Sequence, residues 1–436
     1  MMTISRIAKQ MQVVLREKAM QIADRTGFTQ RHRVVNGSSF IVGLMFGWLN
    51  EAQASLSGLS QSIGNAGTAL SRQGLAKRFD SAAVAFSRAM LSESLEEVVK
   101  AMPVSVNLLR RFTSVELVDS SVITLPNSLQ TIWQGCGGFG EQARVASLKL
   151  NVCWDLLTGQ LKTLELSDGR QHDGQSIAYQ QAIMAGSLRI ADLGYFNLDD
   201  LESIAQQGGY FLMRYKLGTY VYEGEEEEAL DLAQWLPQRI GDTVDCEIRL
   251  GKAKQLPCRL VAERVPLAVV RQRQERIREE ARLNQREVSE EALTMAQWTI
   301  YITNVPTHLL AIQEVLVLGR YRWQIELLFK LWKSDLGVDE WRTEQPDRIL
   351  CEIYIKLIGA VVANWLLLVA CWHNPRRSLR QAIPTIRGLA WQFANSLPHR
   401  HLLRHTIESL CRSLSCCCMD RSQQQTRAFQ LLEGEI

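Results

Sequence analysis

The fold is decided by a predicted β-hairpin at residues 147–168, SLKLNVCWDLLTGQLKTLELSD. The turn signal Thr158-Gly159 joins two strand-like runs, SLKLNVCWDLL (147–157) and QLKTLELSD (160–168). A third run, SVELVDSS at 114–121, precedes the hairpin and has the same strand-like composition. The sequence therefore predicts three consecutive strands that form a meander.

The segment after the hairpin alternates predicted helices and strands. A helical pattern at 174–186 is followed by the strand-like run SLRIADLGYF (187–196), and a helix around 198–206 is followed by YFLMRYK (210–216). A three-stranded meander followed by helix, strand, helix and strand is the order of a ribonuclease-H-like sheet. We therefore predict an α/β fold with a ribonuclease-H-like mixed sheet.

Changes in composition along the chain predict five parts. Apolar residues recur at helical spacing before residue 105 and again after residue 306. Strand-like runs, the acidic run Glu225–Glu228, and a charged helix or mobile loop around 271–291 lie between the two segments of the sheet. The predicted parts are a helical N-terminal region (1–105), the first part of the core (106–216), a β-rich insertion (217–305), the second part of the core (306–375) and a helical C-terminal region (376–436).

Composition and charge exclude several classes of protein. Hydrophobic residues make up 46% and charged residues 22% of the 436 residues, which excludes a mainly disordered or collagen-like chain. The 49 basic and 46 acidic residues leave a net charge of +3, so any basic surface must be local. No signal peptide is predicted, and the most apolar stretch, 357–372, is shorter than the roughly 20 residues that span a bilayer. We therefore expect a cytoplasmic protein, with this stretch as a buried core helix and no membrane segment.

The ten cysteines are scattered along the chain except for Cys416, Cys417 and Cys418. A zinc site needs spaced pairs of ligands so that two sulfur atoms can point at one metal ion. Three adjacent cysteines do not provide that spacing. We therefore predict reduced, incidental thiols in this segment.

The segment 55–79, SLSGLSQSIGNAGTALSRQGLAKRF, predicts two short helices separated by a glycine-rich break. The second helix is capped by Ser71 and carries Arg72, Lys77 and Arg78. These basic residues suit a recognition helix in a major groove of DNA. A helical hairpin with a solvated basic face fits the segment equally well.

Three acidic residues occupy special places in the predicted fold. Asp119 stands at the end of the first strand, Asp192 at the end of the fourth, and Glu326 inside a long predicted helix, VLVLGRYRWQIELLFKLWK at 315–333. If the two strands are neighbours, their aspartates lie side by side, and such a cluster of carboxylates requires cations. Two Mg²⁺ or Mn²⁺ ions about 3.5 to 4 Å apart would neutralise it and support an in-line phosphoryl displacement. An isolated aspartate at a strand end more often has a turn or capping role.

Arg322, Glu326 and Lys333 recur at helical spacing and are predicted to share one face of the long helix. The three residues could form an intrahelical ladder of salt bridges, which contributes only a few tenths of a kcal/mol. Beside a phosphodiester, the same face would hold metal ions with the glutamate and phosphates with the two cations. The pattern alone leaves both interpretations open.

Four segments together resemble the DDE transposases of bacterial insertion sequences, in the branch named for a Tyr-Arg-Glu-Lys signature. They are VELVDSSVITLP (115–126), IADLGYF (190–196), WTIYITNVP (298–306) and RYRWQIELLFKLWK (320–333), and TGFTQRHRVVNGSSFIVGLMFGWL (26–49) is also similar to the family. The resemblance spans nearly the whole chain, and the last of the four segments is the most specific.

The resemblance implies roles for individual residues. The triad that binds two Mg²⁺ or Mn²⁺ ions and performs catalysis would be Asp119, Asp192 and Glu326. Transposon-end DNA would be held by Arg322 and Lys333. The aromatic residues Trp298 and Trp323 match positions where the family places rings around a flipped base, and such stacking offsets the cost of unstacking. Core packing is the alternative for both tryptophans.

The resemblance also implies a reaction. A homodimer in a synaptic complex would bind double-stranded DNA at the inverted repeats, nick it, form and open a hairpin, and join the end to target DNA. Residues 1–105 would bind DNA, and the protein would be associated with the bacterial nucleoid. The signature expects Tyr where the chain has Gly319, and Tyr321 lies on a different helical face. A decayed transposase that only binds DNA, and a nuclease without strand transfer, are therefore alternatives.

Overall fold

The computed structural model describes residues 3–29, 35–97, 99, 101–135, 146–374 and 377–417 of the chain. Cys418 lies outside these residues, as do the side chains of Cys416 and Cys417, which the prediction of incidental thiols concerned. The described chain forms two compact units. The first unit contains the described residues of 1–106, 120–171 and 325–425, and the second those of 107–119 and 172–324.

The secondary structure alternates helices and strands between a helical beginning and a helical end. The α-helices are α1 (Ile4–Gln12), α2 (Ala19–Arg25), α3 (Gly37–Asn50), α4 (Leu56–Asn65), α5 (Arg72–Ala76), α6 (Ser81–Glu96), α7 (Ile177–Gln180), α8 (Leu198–Gln206), α9 (Leu232–Trp235), α10 (Leu267–Leu283), α11 (Glu290–Met295), α12 (Ile312–Tyr321), α13 (Trp323–Ser334), α14 (Pro346–Ala370), α15 (Leu379–Gly388), α16 (Ala390–Ser396) and α17 (Arg400–Cys417). The strands are β1 (Val115–Thr124), β2 (Ser147–Asp155), β3 (Leu161–Asp168), β4 (Leu188–Ala191), β5 (Tyr210–Arg214), β6 (Val221–Glu223), β7 (Thr243–Leu250), β8 (Leu256–Arg264) and β9 (Trp298–Thr303). A π-helical segment, Val13–Lys18, connects α1 to α2.

The nine strands form a mixed sheet in the order β3-β2-β1-β4-β5-β9-β8-β7-β6. The pairs β1–β4 and β4–β5 are parallel, whereas β2–β3, β5–β9, β8–β9, β7–β8 and β6–β7 are antiparallel. This order confirms the predicted ribonuclease-H-like mixed sheet between helical terminal regions. The strands predicted inside the insertion join the same sheet through β9.

The predicted hairpin of β2 and β3 depends on the glycine of its turn. Gly159 has a φ of +71°, a conformation that side chains disfavour. A Cβ atom at this position would lie 2.5 Å from the Trp372 ring, so the turn also needs the missing side chain for packing. The Trp154 ring packs edge-on against Trp372 at a centroid distance of 5.4 Å.

Helix α14 is the core helix that the apolar stretch at 357–372 predicted. It is long and apolar enough to cross a membrane, but 94% of its most apolar window is buried inside the protein. Its Lys356 is buried, pairs with Glu352 at 2.9 Å, and donates hydrogen bonds to the carbonyl oxygens of Gly337 and Glu340. Buried charges require such partners, and these fasten α14 to the loop that follows α13.

The helix predicted at 174–186 is wrong over most of its length. Only a 3₁₀ turn, Asp173–Gln175, and the short helix α7 form there. The Arg189 guanidinium accounts for the ending, because it donates to the carbonyl oxygens of Tyr179 and Gln181 at 2.6 and 3.1 Å. A continued helix would use these carbonyl oxygens for its own hydrogen bonds.

The recognition helix predicted after Ser71 is also shorter than expected. Ser71 caps α5 as predicted, but α5 has five residues and ends at Ala76, so Lys77 and Arg78 lie beyond it. The Arg78 guanidinium instead lies 5.6 Å from the centroid of the Phe28 ring. The chain cannot continue as one helix, because Asp80 caps α6 by accepting a hydrogen bond from the Ala83 amide.

Candidate active site and DNA-contacting residues

Two aspartates follow neighbouring parallel strands of the sheet. The last residue pair of β1 and β4 is Val118 with Ala191, so Asp119 and Asp192 come directly after it. The two strands are neighbours, which is the condition under which the sequence places these aspartates side by side. The prediction that Asp119 ends its strand is wrong, because β1 continues to Thr124 alongside β2. From Asp119 onward, β1 extends beyond the last residue of β4.

A buried ion pair holds the two strands in register. Glu116 and Arg189 stand opposite each other on β1 and β4, and the Arg189 guanidinium donates to one Glu116 carboxylate oxygen at 2.8 and 3.0 Å. Both side chains are almost fully buried. Because a buried pair is intolerant of a change in its geometry, it fixes the relative position of the strands that carry Asp119 and Asp192.

The turn after β4 shapes the surroundings of Asp192. The Asp192 carboxylate caps the 3₁₀ turn Leu193–Tyr195 by accepting a hydrogen bond from the Gly194 amide at 2.7 Å. A Cβ atom on Gly194 would lie 3.0 Å from that carboxylate and 2.6 Å from an oxygen of Asp173. Because glycine has no side chain, Gly194 leaves room for the carboxylates of Asp173 and Asp192. Strand β4 ends at Ala191 because the chain turns at Asp192.

Arg322 contacts Asp119. Its guanidinium Nη1 donates to Asp119 Oδ2 at 2.8 Å, and both side chains are largely buried.

The single helix predicted for 315–333 is wrong, because α12 ends at Tyr321 and α13 begins at Trp323. The interruption coincides with Arg322, whose side chain is fixed by this ion pair, and Gly319 in the preceding turn weakens the helix further.

Glu326 and Lys333 both lie on α13, as predicted. Glu326 is in the first turn of the helix, where a carboxylate is favoured by the helix dipole, and Lys333 is in the last turn, where a cation is favoured. The Lys333 ammonium group donates to the Val122 carbonyl oxygen on β1 at 2.8 Å. The Lys333 side chain is half-buried, and this hydrogen bond holds its ammonium group against β1.

The two predicted DNA-contacting tryptophans differ in burial. Trp298 begins β9 and is 4% exposed, with the Arg264 guanidinium 4.8 Å from its ring centroid. Trp323 begins α13 and is 40% exposed. Trp323 is thus available for stacking, whereas Trp298 packs inside the protein beneath an arginine.

Comparison with known proteins decides the family. The family model for the transposase DDE domain matches residues 110–362, which is more than half of the chain. The chain is 31% identical to the transposase for insertion sequence element IS231F of Bacillus thuringiensis subsp. israelensis, over 79% of this chain and 76% of that protein. It is 25% identical to the transposase for insertion sequence element IS1151 of Clostridium perfringens, over 80% of this chain and 78% of that protein.

The chain belongs to the DDE transposases of bacterial insertion sequences. Membership of this family explains why the four sequence segments resemble those of DDE transposases. It makes the protein an enzyme of DNA transposition.

The carboxylates of the transposase suit a divalent cation by their chemistry. Asp119 and Asp192 supply only oxygen ligands, the kind that Mg²⁺ and Mn²⁺ prefer. Within the described residues, no group of three or more His, Cys, Asp or Glu side chains is arranged to hold a metal ion. One Asp119 oxygen accepts a hydrogen bond from the Arg322 guanidinium at 2.8 Å. The predicted metal-binding triad therefore stays a prediction.

Sequence reasoning missed two residues of the transposase that lie beside predicted ones. Asp173 lies beside Asp192 across Gly194, and Tyr301 on β9 lies against Gly319 on α12. The glycines carried the available signal, because a glycine within a motif often marks a close approach by another group. The identity of the approaching residue follows only from the fold.

Proposed function

We propose that the transposase binds the terminal inverted repeats of its insertion sequence, cleaves DNA by metal-dependent phosphoryl transfer and joins the ends to target DNA. The observation that carries this proposal is the placement of Asp119 and Asp192 at neighbouring strands with Arg322 against Asp119. Membership of the family supports it, because the relatives are transposases for insertion sequence elements.

The proposed ligands of two Mg²⁺ or Mn²⁺ ions are Asp119, Asp192 and Glu326. When bound, the ions activate the attacking water or 3′-hydroxyl and stabilise the leaving oxygen. One Asp192 carboxylate oxygen accepts a hydrogen bond from the Gly194 amide, and the other oxygen would bind the metal ion. The chain itself supplies no covalent nucleophile, since phosphoryl transfer depends on positioning and charge stabilisation.

The proposed DNA contacts begin with Arg322 and Lys333, whose cationic groups suit phosphate oxygens. Trp323 is exposed enough to stack on a base, and Trp298 would act after a rearrangement at Arg264. In the N-terminal region the proposed contacts are the basic side chains of Arg72, Lys77 and Arg78. The short length of α5 favours contacts to phosphates there over a helix inserted in a groove.

The proposed working form is a homodimer in a synaptic complex with two transposon ends. In this form residues 1–105 bind DNA, and the catalytic core comprises residues 106–216 and 306–375 around the insertion at 217–305. The protein acts in the bacterial cytoplasm, at the nucleoid when it is bound to DNA.

The test uses a duplex that ends in the terminal inverted repeat found beside the coding region. We expect the purified protein to nick this duplex in the presence of Mg²⁺, to leave a scrambled duplex intact, and to give joined products with a target plasmid. Glu326→Gln should bind the duplex and not nick it. Binding without nicking by the wild type would instead mean a decayed transposase, and nicking without joining would mean a nuclease.

A further inference from the structure

Gly319 is the position where the chain departs from the Tyr-Arg-Glu-Lys signature. It lies on α12 and faces Tyr301 of β9. A Cβ atom on Gly319 would lie 2.8 Å from the Tyr301 hydroxyl oxygen and closer still to two carbons of the ring. Non-bonded heavy atoms do not approach so closely. The Tyr301 ring therefore occupies the space into which a side chain at 319 would project.

Tyr301 presents its hydroxyl from a fixed ring. The residue is 3% exposed and pairs across the sheet with Arg214 on β5 and Val261 on β8. Within the described part of the chain, the hydroxyl forms no hydrogen bond. Its oxygen is also not among the fully buried polar atoms without a partner, so it retains some contact with solvent. The hydroxyl oxygen therefore reaches the surface while the ring stays packed, and it is available as a donor.

Two arginines lie near this hydroxyl. Arg214 is directly opposite Tyr301 in the antiparallel pair, so the two side chains share one face of the sheet. Arg214 is exposed and forms no ion pair with any described residue. Arg273 of α10 donates to Thr299 Oγ1 at 2.9 Å, and burial together with the positive charge of Arg214 lowers the pKa of Arg273. Glu263 of β8 lies on the same face of the sheet and is paired with Arg320, so the positive charge of Arg214 and Arg273 beside the hydroxyl favours an anion.

We propose that Tyr301 and Arg214 form a phosphate contact for the transposon end, with Tyr301 in place of the tyrosine that the signature puts at position 319. The phenol hydroxyl donates to one phosphate oxygen, and the Arg214 guanidinium supplies the charge. Gly319 is required because the same space cannot hold two side chains. The proposal rests on the proposed function, since it takes transposon-end DNA as the ligand.

The position of the contact along the chain supports the assignment. Gly319 lies about one helical turn before Arg322, the proposed phosphate contact at the end of α12. Tyr321, the other tyrosine of this segment, is buried and lies one residue from Arg322 on another face. The ion pair between Arg320 and Glu263 fastens α12 to β8 and keeps Gly319 over β9.

The experiment measures binding of a duplex that ends in the terminal inverted repeat, over a series of salt concentrations. Tyr301→Phe keeps the packed ring and removes only the hydroxyl, and we expect it to weaken binding about tenfold, as for a hydrogen bond to a charged group. Arg214→Gln should flatten the salt dependence by up to about one unit of log–log slope. The matched controls are Tyr220→Phe, at an exposed tyrosine, and Arg276→Gln, at an exposed arginine of α10. Both controls should bind as the wild type does.

A swap of the two side chains tests the shared space. Gly319→Tyr alone should lower the melting temperature, because its ring overlaps Tyr301. Tyr301→Ala combined with Gly319→Tyr should fold and regain binding lost in Tyr301→Ala. A folded swap variant that does not regain binding would overturn the assignment of both positions to one contact.

The outcomes separate this inference from the proposed function. If the wild type prefers the repeat duplex to a scrambled one, while Tyr301→Phe and Arg214→Gln bind it equally well, the inference is overturned and the proposed function stands. If the wild type shows no preference for the repeat duplex, the proposed function fails.

Discussion

The Arg322 guanidinium lies 2.8 Å from the Asp119 carboxylate, so a proposed DNA contact and a proposed metal ligand form an ion pair with each other. Both side chains are largely buried, and a carboxylate in such a place needs a counter-ion. Arg322 serves as that counter-ion. The pair therefore joins the strand that carries Asp119 to the end of α12.

The first prediction concerns Arg322 and Lys333 as phosphate contacts. Arg322→Ala and Lys333→Ala should each weaken binding to transposon-end DNA and flatten its salt dependence by up to about one unit of log–log slope. The exposed Arg276 of α10 pairs with Glu280, and Arg276→Ala provides the control. Binding isotherms over a salt series make the measurement, and unchanged slopes for both variants would remove these residues from the DNA contacts.

The second prediction concerns the pair that holds β1 against β4. Glu116→Gln should lower the free energy of unfolding by about 3 to 5 kcal/mol, because it leaves the buried Arg189 without its counter-ion. Arg276→Gln breaks an exposed pair and should cost about 0.5 kcal/mol or less. Urea denaturation of both variants measures these free energies. Equal effects would show that burial does not determine how much an ion pair contributes to stability.

The third prediction separates the two tryptophans. Trp298→Ala should lower the free energy of unfolding by about 3 to 5 kcal/mol, because the ring is buried. Trp323→Ala should leave stability nearly unchanged and weaken end binding by about 1 to 3 kcal/mol, the contribution of one stacked base. Thermal melting and binding isotherms on the same preparations distinguish these results. Wild-type binding by Trp323→Ala would exclude a stacking role in end binding.

The fourth prediction concerns packing on α13. Phe329 is buried and meets the Trp332 ring edge-on at a centroid distance of 6.1 Å. Phe329→Ala should lower the free energy of unfolding by roughly 3 kcal/mol. The salt dependence of DNA binding by the folded variant should match the wild type, because no charge is removed. A change in slope equal to that of Lys333→Ala would mean that packing of α13 controls the DNA contact.

Local patterns predicted the parts of the fold that depend on local chemistry. Helix α8 has the predicted bounds, Leu198–Gln206, because its apolar spacing and its Asn197 cap act within one element. The hairpin of β2 and β3 follows from its turn residues and from strand composition in the same way. The sequence placed Asp119 and Asp192 side by side only if their strands are neighbours, a condition that the adjacent strands β1 and β4 meet.

Tertiary contacts decided the parts that the sequence could not predict. Helix α7 is cut short by Arg189, which is distant in sequence from the carbonyl oxygens it takes. The interruption at Arg322 accompanies an ion pair with Asp119 on another element. The place of Gly319 depends on Tyr301, which is visible only once β9 lies under α12. Periodicity within one segment carries no information about such partners.

The most direct test of the account measures nicking of a transposon-end duplex in Mg²⁺ by Asp192→Asn. The asparagine retains an oxygen that can accept from the Gly194 amide, so the turn should persist while one anionic ligand is lost. Asp199→Asn, at an exposed aspartate of α8, is the matched control. The account predicts that Asp192→Asn binds the duplex and does not nick it, whereas the control nicks as the wild type does. Undiminished nicking by Asp192→Asn would contradict the assignment of the catalytic site.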